Sequence, residues 1–272
     1  MKLKLVLEYD GTPFCGWQQQ DGMFTVQGEL ERSLGVYLDS LARKCHLDPV
    51  PTPGIMGSGR TDSGVHALGQ VASFLWPDTL PLRLGEIRAA LNGITPRELS
   101  IRSVEIMPNS FDARVTLHRK QYSYLIGLHR GSDGFYGKRL WHITARLDVA
   151  AMAAAARHFV GKHDFSSFRA GDCLAKSTGR TVFVSELSRI GSEQLQFVVQ
   201  GNGFLKQMIR IMTGTLVDVG RGRLRAEQIP ELIAARNREL AGPTAPAHGL
   251  TLDWVRYPEQ EIGNAEVDEA DE

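Results

Sequence analysis

Eighteen residues, GIMGSGRTDSGVHALGQV (54–71), hold five glycines, one arginine, one aspartate and one histidine. Residues of these types at this density suit two chemistries. The first is phosphate binding: from Gly54 the segment nearly spells GxxxxGK[ST], closed by Gly59, Arg60 and Thr61. A working phosphate loop needs a strand leading in, glycine amides with a lysine on the phosphates, and a helix leading out. The lead-in here, PVPTPG, is poor strand material because proline removes ladder donors. Arginine is a planar fork, not the compact ammonium that sits between phosphates. The lead-out, DSGVHALGQVASF, carries Gly64 and Gly69 and then alternates as a strand. The phosphate reading fails on all three counts.

The second chemistry places one carboxylate at a fixed point. Asp62 lies between Thr61 and Ser63, with Gly59 and Gly64 giving the backbone freedom on both sides. Arg60, two residues away, can favour the ionised acid or touch a substrate phosphate. Such a carboxylate serves as nucleophile or general base. By spacing alone, an aspartate in a glycine loop is more often a turn former or helix cap.

The surrounding elements must position this loop. LKLVLEY (3–9) alternates, with Leu3, Leu5, Leu7 and Tyr9 on one side, and reads as a half-buried strand. Val26, Leu30, Leu34, Tyr37, Leu38 and Leu41 recur at helical spacing behind Thr25, so a helix is predicted from Thr25 to about Lys44 with Thr25 as its cap. HLDPVPTPG is connection. QVASFLW (70–76) reads as a strand, PLRLGEIRAALNG as a short helix ended by Gly93, and LSIRSVEIM (99–107) as another strand.

After about residue 108 the pattern restarts. RKQYSYLIGL (119–128) is a strand, with Tyr122, Tyr124 and Ile126 on one face. LDVAAMAAAARHFVG reads as a helix ended by Gly161. TVFVSELSRI and QLQFVVQG read as a hairpin across Gly191 and Ser192. GNGFLKQMIRIMTGTLVDVG reads as a helix whose apolar stripe is Phe204, Leu205, Met208, Ile209, Met212 and Leu216. Arg210 falls on the opposite side, with Lys206 at i−4. A shorter helix near 226–236 and a closing strand, LTLDWVRY (250–257), complete the pass. The expectation is an α+β chain of two ferredoxin-like or RRM-like halves, 1–107 and 108–258, each close to a split β-α-β order. The tail 259–272 reads as acidic and disordered.

The 272 residues carry 31 basic and 31 acidic side chains, a formal net charge of zero. The tail EQEIGNAEVDEADE holds seven of the acids and no base, leaving 31 basic against 31 − 7 = 24 acidic residues in the body. Within it, Arg114, Arg119, Lys120, Arg130, Lys138, Arg139 and Arg146 face only Asp133 in the stretch 114–146, a stripe compatible with a phosphate backbone or with a solvated face. Cys15, Cys45 and Cys173 stand far apart in no metal spacing, which fits free thiols in a reducing cytoplasm. The eight histidines, His66 among them, give no metal-ligand spacing either, so no metal site is expected. No apolar run approaches the roughly 20 residues of a membrane span, and MKLKLVLEYDG lacks the apolar core of a signal peptide.

Taken whole, GRTDSGVHALGQV resembles the signature of the tRNA pseudouridine synthase A family, usually GRTDAGVHA, with Ser63 in place of alanine. LEYDGTPFCGWQQQ, VQGEL, FDAR (111–114), the strand with Tyr122 and Tyr124, HDFSSFRA (163–170), GNGFLKQMIRIMTGTL and the GL-x-L at 249–252 follow in the family's order. The resemblance implies that Asp62 is the catalytic carboxylate and that Arg60 helps hold the target nucleotide out of its stack. Tyr122 is then the aromatic on the target uracil, and Arg210 the helix arginine paired with the aspartate. Leu250 is an apolar contact to the base. It further implies a cytoplasmic homodimer, two halves in one mostly antiparallel sheet with helices on one face and a basic cleft between them, and modification of uridines 38, 39 and 40 in the tRNA anticodon stem-loop. Isomerising uridine to pseudouridine breaks the N-glycosidic bond, turns the uracil and rejoins it through carbon, so no cofactor is expected. The carboxylate either adds covalently or takes a proton as a glycal forms. Two rivals stand beside this reading: an RNA-binding module of the same plan without catalysis, and a pseudouridine synthase acting at other tRNA positions.

Overall fold

The computed structural model describes residues 1–128 and 139–258, which fall into two compact units. The acidic tail 259–272 and, from the basic stripe, Arg130, Asp133 and Lys138 lie outside the described residues. The chain is α+β, with mostly antiparallel strands and, among the described residues, five α-helices. None of these helices is long and apolar enough to cross a membrane.

Unit 1 comprises 1–63, 67–118 and the described residues from Val255 onward. Its elements are β1 (Lys2–Tyr9), α1 (Val26–Lys44), β2 (Met56–Gly57), β3 (His66–Leu75), α2 (Leu84–Ile94) and β4 (Leu99–Met107). β1 runs between β4 and β3, antiparallel to both, and β2 flanks β3. The strand order is therefore β4-β1-β3-β2, the fourth-first-third-second order of a β-α-β-β-α-β unit. β1 alternates as its sequence predicts, with Leu3, Leu5, Leu7 and Tyr9 buried. In α1, Leu30, Leu34 and Leu38 are wholly buried while Tyr37 and Leu41 stand at the edge of the stripe. Thr25 caps α1 by accepting from Gly28 N.

Two boundaries differ from the sequence expectation. α2 runs past Gly93 to Ile94, where Thr95 Oγ1 donates to both Leu91 O and Leu99 O and ends the helix in Gly93's stead. β3 starts at His66, ahead of the expected Gln70, and is buried on both faces over most of its length.

Unit 2 comprises 64–66 and 119–254. It contains β5 (Arg119–Gly127), β6 (Trp141–His142), α3 (Val149–Arg157), β7 (Gly161–Asp164), β8 (Gly179–Ile190), β9 (Gln194–Gly201), α4 (Met208–Gly220), α5 (Ile229–Ala235) and β10 (Leu250–Arg256). The order β10-β5-β9-β8-β7 repeats the plan of unit 1 with one strand added at the edge, and β6 lies parallel to β5. β8 and β9 form the expected hairpin, turning at Gly191 with φ +62°. Tyr124, Ile126, Leu195, Phe197 and Val199 from the sheet, and Met152, Phe159, Phe168, Met212 and Leu216 from the helical layer, make its core.

Two of the unit 2 helices, α3 and α4, are shorter than their sequence patterns. α3 is capped by Asp148, which accepts from Ala151 N, and ends at Arg157; Gly161, at φ +124°, already opens β7. α4 starts only at Met208. Gln207 has φ +60°, and the GNGFLK stretch before it is tied elsewhere, Asn202 to Thr181 and Lys206 O to Ala170 N. Lys206 therefore shares no helical face with Arg210; its ammonium is paired with Asp172. α4 is buried nearly all round, leaving Arg210 and Asp218 as its half-buried positions.

Candidate active site

The loop carrying Arg60 and Asp62 connects β2 to β3 and is fastened inside unit 1 at almost every residue around the aspartate. Ser58 N donates to Val71 O at 2.7 Å and Ser58 Oγ to Gln70 Oε1 at 2.8 Å, while Gln70 Nε2 donates back to Gly59 O at 3.0 Å. Gln70 is fully buried, so this is a side-chain clamp in a dry environment, where each bond counts for more than at the surface. Thr61 shares a 2.9 Å hydroxyl–hydroxyl bond with Tyr9 and accepts from Trp17 N at 3.1 Å. Ser63 Oγ donates to Phe14 O at 3.2 Å. Burial pushes the Tyr9 phenol up to about 12, so that side chain stays neutral.

The approach of residues 14–17 to this loop depends on Gly16. Its φ is +92°, and a Cβ there would sit 2.8 Å from Thr61 O. Thr61 is thus buried and pinned, Ser63 is pinned from the other side, and Asp62 between them is half-buried while Arg60 is exposed. This arrangement places a carboxylate at the mouth of a rigid loop. It does not resemble a phosphate cradle, because the loop runs into strand β3 and no helix follows it.

Unit 2 carries Tyr122, Arg210 and Leu250, and Arg210 lies near enough to Tyr124 to act on its phenol. Tyr122 and Tyr124 share a face of β5. Tyr124 is wholly buried; its hydroxyl donates to Pro246 O at 2.8 Å, its ring packs on Gly249, and burial drives its phenol far above the usual range against the opposing charge of Arg210. Tyr122 keeps 7% of its surface exposed and meets the Phe204 ring edge-on, centroids 5.3 Å apart at 85°. Alternation alone cannot separate two tyrosines on one strand face. Their surroundings differ: Tyr124 is tied to Pro246 and Gly249, and Tyr122 meets Phe204. Arg210 Nε donates to Ala245 O at 2.8 Å and Ala245 N donates to Arg210 O at 3.1 Å, a reciprocal pair between α4 and the segment entering β10. Leu250, buried, opens β10 directly after that segment.

Sequence reasoning passed over the stretch 241–249 itself. It has little regular structure, yet Arg238 donates to Ala241 O, Gly242 O and Thr244 Oγ1, and Gly242 N donates to Thr215 Oγ1. Gly214 lets α4 touch it: a Cβ there would stand 1.7 Å from Pro243 O. The glycine inside an otherwise good helical pattern was the available signal. His66, buried in β3, is bonded to His248 O at 3.2 Å, a structural role. Among the described residues no group of three His, Cys, Asp or Glu side chains could hold a metal ion, and the three cysteines are free thiols.

A family model described as tRNA pseudouridine synthase matches residues 155–258. Over nearly the whole chain there are closer relatives. A tRNA pseudouridine synthase A of Geotalea daltonii is 40% identical over 255 residues, covering 94% of this chain and 99% of its own. That of Geobacter sulfurreducens is 41% identical over 257 residues with the same coverage, and that of Myxococcus xanthus 39% identical over 256 residues, covering 94% and 92%. Among solved structures, the archaeal box H/ACA sRNP Nop10-Cbf5 complex aligns with 93% of this chain and 46% of its own at 12% identity and a TM-score of 0.32, too loosely to inform the fold. The class is thus that of the tRNA pseudouridine synthases, isomerases acting on tRNA uridines. Within that class, this chain belongs to the tRNA pseudouridine synthase A family.

Proposed function

We propose that this enzyme isomerises uridines 38, 39 and 40 of the tRNA anticodon stem-loop, with Asp62 as the catalytic carboxylate acting on a flipped-out uridine. The observation that carries the assignment is the fastening of the loop. Thr61 and Ser63 are each bonded to a different element of unit 1 while Asp62, half-buried between them, is set at a fixed point. Preorganised placement of one charged group is what such a reaction draws on, because the C1′–N1 bond must break and a C1′–C5 bond form on the same ribose, with the C5 proton lost and N1 protonated.

In this reading the target base leaves its stack at a cost of a few kcal/mol, offset by backbone contacts and by Arg60, which is exposed on the same loop. Tyr122 gives the detached uracil a flat surface on which to turn. Arg210, oriented through Ala245, is in this reading the arginine partner of the carboxylate, and Leu250 gives the base an apolar wall. Several neighbouring positions are served because RNA shape and backbone charge, more than base edges, select the site. The enzyme works as a cytoplasmic homodimer.

The test is Asp62→Ala, with tRNA binding and pseudouridine formation measured on the same preparation. Binding is expected to persist and product to vanish. Product from Asp62→Ala would remove the assignment. Mapping pseudouridine in tRNA from a strain lacking the protein tests the positions, with 38–40 expected to revert to uridine.

A further inference from the structure

Residues 14–17 are layered between the Asp62 loop and residues 24–27. Cys15 N donates to Phe24 O at 2.7 Å, Val26 N to Gly16 O at 3.1 Å and Gln27 N to Trp17 O at 2.9 Å, while Trp17 N and Phe14 O hold the other side through Thr61 and Ser63. Three rings follow the same path. Tyr9, bonded to Thr61, meets Phe14 edge-on at 6.3 Å. Phe14, 1% exposed, is stacked with Phe24 at 4.8 Å and an interplanar angle of 12°. Phe24 itself is 41% exposed. The column thus begins at the residue beside Asp62 and ends in an aromatic ring open to solvent.

Helix packing gives no reason for a phenylalanine there. Phe24 precedes the Thr25 cap, where an apolar side chain serves as a staple if the fourth helical residue is apolar. That residue is Glu29, so no staple can form. Nor does the ring fill the interior, since Phe14 already closes the core below it. What a parallel-stacked, half-exposed ring does fit is another flat π-system. Base-on-aromatic stacking is the ordinary means by which proteins hold unpaired nucleotides, and it accepts any base.

We propose that Phe24 is a stacking platform for an unpaired base of the tRNA neighbouring the flipped uridine, a second base subsite built onto the Asp62 loop. The subsite rests on the reading of Asp62 as the reactive group. Its chemistry is a nucleobase face, with Arg60 on the adjoining loop available to the connecting phosphate. Because the platform is coupled to Thr61 through Phe14 and Tyr9, a base seated on it bears on the loop that carries the carboxylate. Purines, with the larger stacking surface, are held more tightly than pyrimidines.

The experiment compares Phe24→Ala, Phe24→Leu and Phe24→Tyr in the full chain with unmodified tRNA transcript, reading Kd by fluorescence anisotropy and KM and kcat from product formation. Loss of one stacked base weakens binding by about 10-fold in the Ala and Leu variants, with the loss falling on Kd and KM more than on kcat, and the Tyr variant, which keeps the ring, binds as the parent protein does. Leu keeps the apolar cover over Phe14, so a purely structural role predicts parent-like binding by Phe24→Leu, and that result would overturn the proposal, as would an unchanged Kd for Phe24→Ala. In a second arm, bases flanking the target uridine are replaced one at a time by 2-aminopurine. One position is expected to be quenched by the parent protein and not by Phe24→Leu; identical emission with both proteins at every position refutes the subsite. Asp62→Ala runs in parallel: product from it would sink the reading of the carboxylate, whereas a failed subsite shows only in the Phe24 series.

Discussion

Two irregular segments, one in each unit, lie beside proposed site residues, and they are held in opposite ways. The loop 58–63 in unit 1 is fixed by side chains: Gln70 clamps Ser58 and Gly59, Tyr9 holds Thr61, and Ser63 reaches Phe14 O. The segment 241–249 in unit 2 is fixed mainly through its backbone. Its carbonyls are taken by Arg238 and Arg210, and its chain lies directly on α4 at Gly214. Side-chain clamps allow a loop to project a reactive group while its flanks stay buried. Backbone-on-helix contact gives a wall, suited to seating an apolar side chain such as Leu250 at the start of a strand.

The comparison can be broken from either side. The largest effect is expected from Gly214→Ala. Alanine gains roughly 1 kcal/mol of helix propensity over glycine, but a methyl 1.7 Å from Pro243 O forces the backbones apart and dominates. A net loss of about 3 kcal/mol or more is expected in urea unfolding, with activity lost in parallel. Next is Gln70→Leu, which strands two polar groups of the loop in a dry interior. It should cost about 2–3 kcal/mol and lower kcat while tRNA affinity changes far less.

Tyr9→Phe is milder, about 1 kcal/mol, because it removes one hydroxyl bond and retains the ring. It also carries a pH signature. The folded-state value, about 12, is above the ordinary 10.0, so the stability contributed by keeping the phenol neutral is complete below pH 10 and is lost as pH rises toward 12. The variant should lose one group's share of that alkaline slope, about 1.4 kcal/mol per pH unit, while Tyr124 and Tyr257, shifted in the same direction by burial, keep theirs. The smallest effect sharpens the contrast. Lys206→Ala removes an exposed ion pair with Asp172 and should move stability by less than about 0.5 kcal/mol.

Much of the fold was legible in the residues. β1 follows from a period-two pattern, and α1 from helical spacing behind a capping threonine, because each buries one face and exposes the other. Period failed where an element is buried on both sides. β3 begins at His66, ahead of its alternating stretch, and the helical pattern of 201–220 overruns the start of α4, because Gln207 turns the chain left-handed and the preceding residues bond to Thr181 and Ala170. The placement of Arg210 away from the apolar stripe survived this, since α4 includes it; the grouping with Lys206 did not.

The sequence by itself determined the chemical vocabulary: one carboxylate in a glycine-rich loop, a strand with alternating tyrosines, a helix arginine, and no phosphate-loop flanks. These are local properties, carried by residue type and spacing. Only the tertiary structure decided that Tyr124 is bonded to Pro246, which residues pin Thr61 and Ser63, and why Gly214 must be glycine. Each of those facts depends on contacts between residues some 30 to 120 positions apart, Gly214 with Pro243, Phe14 with Ser63, Tyr9 with Thr61, Tyr124 with Pro246. No periodicity along the chain encodes such pairs; they exist only once folding has brought distant residues together.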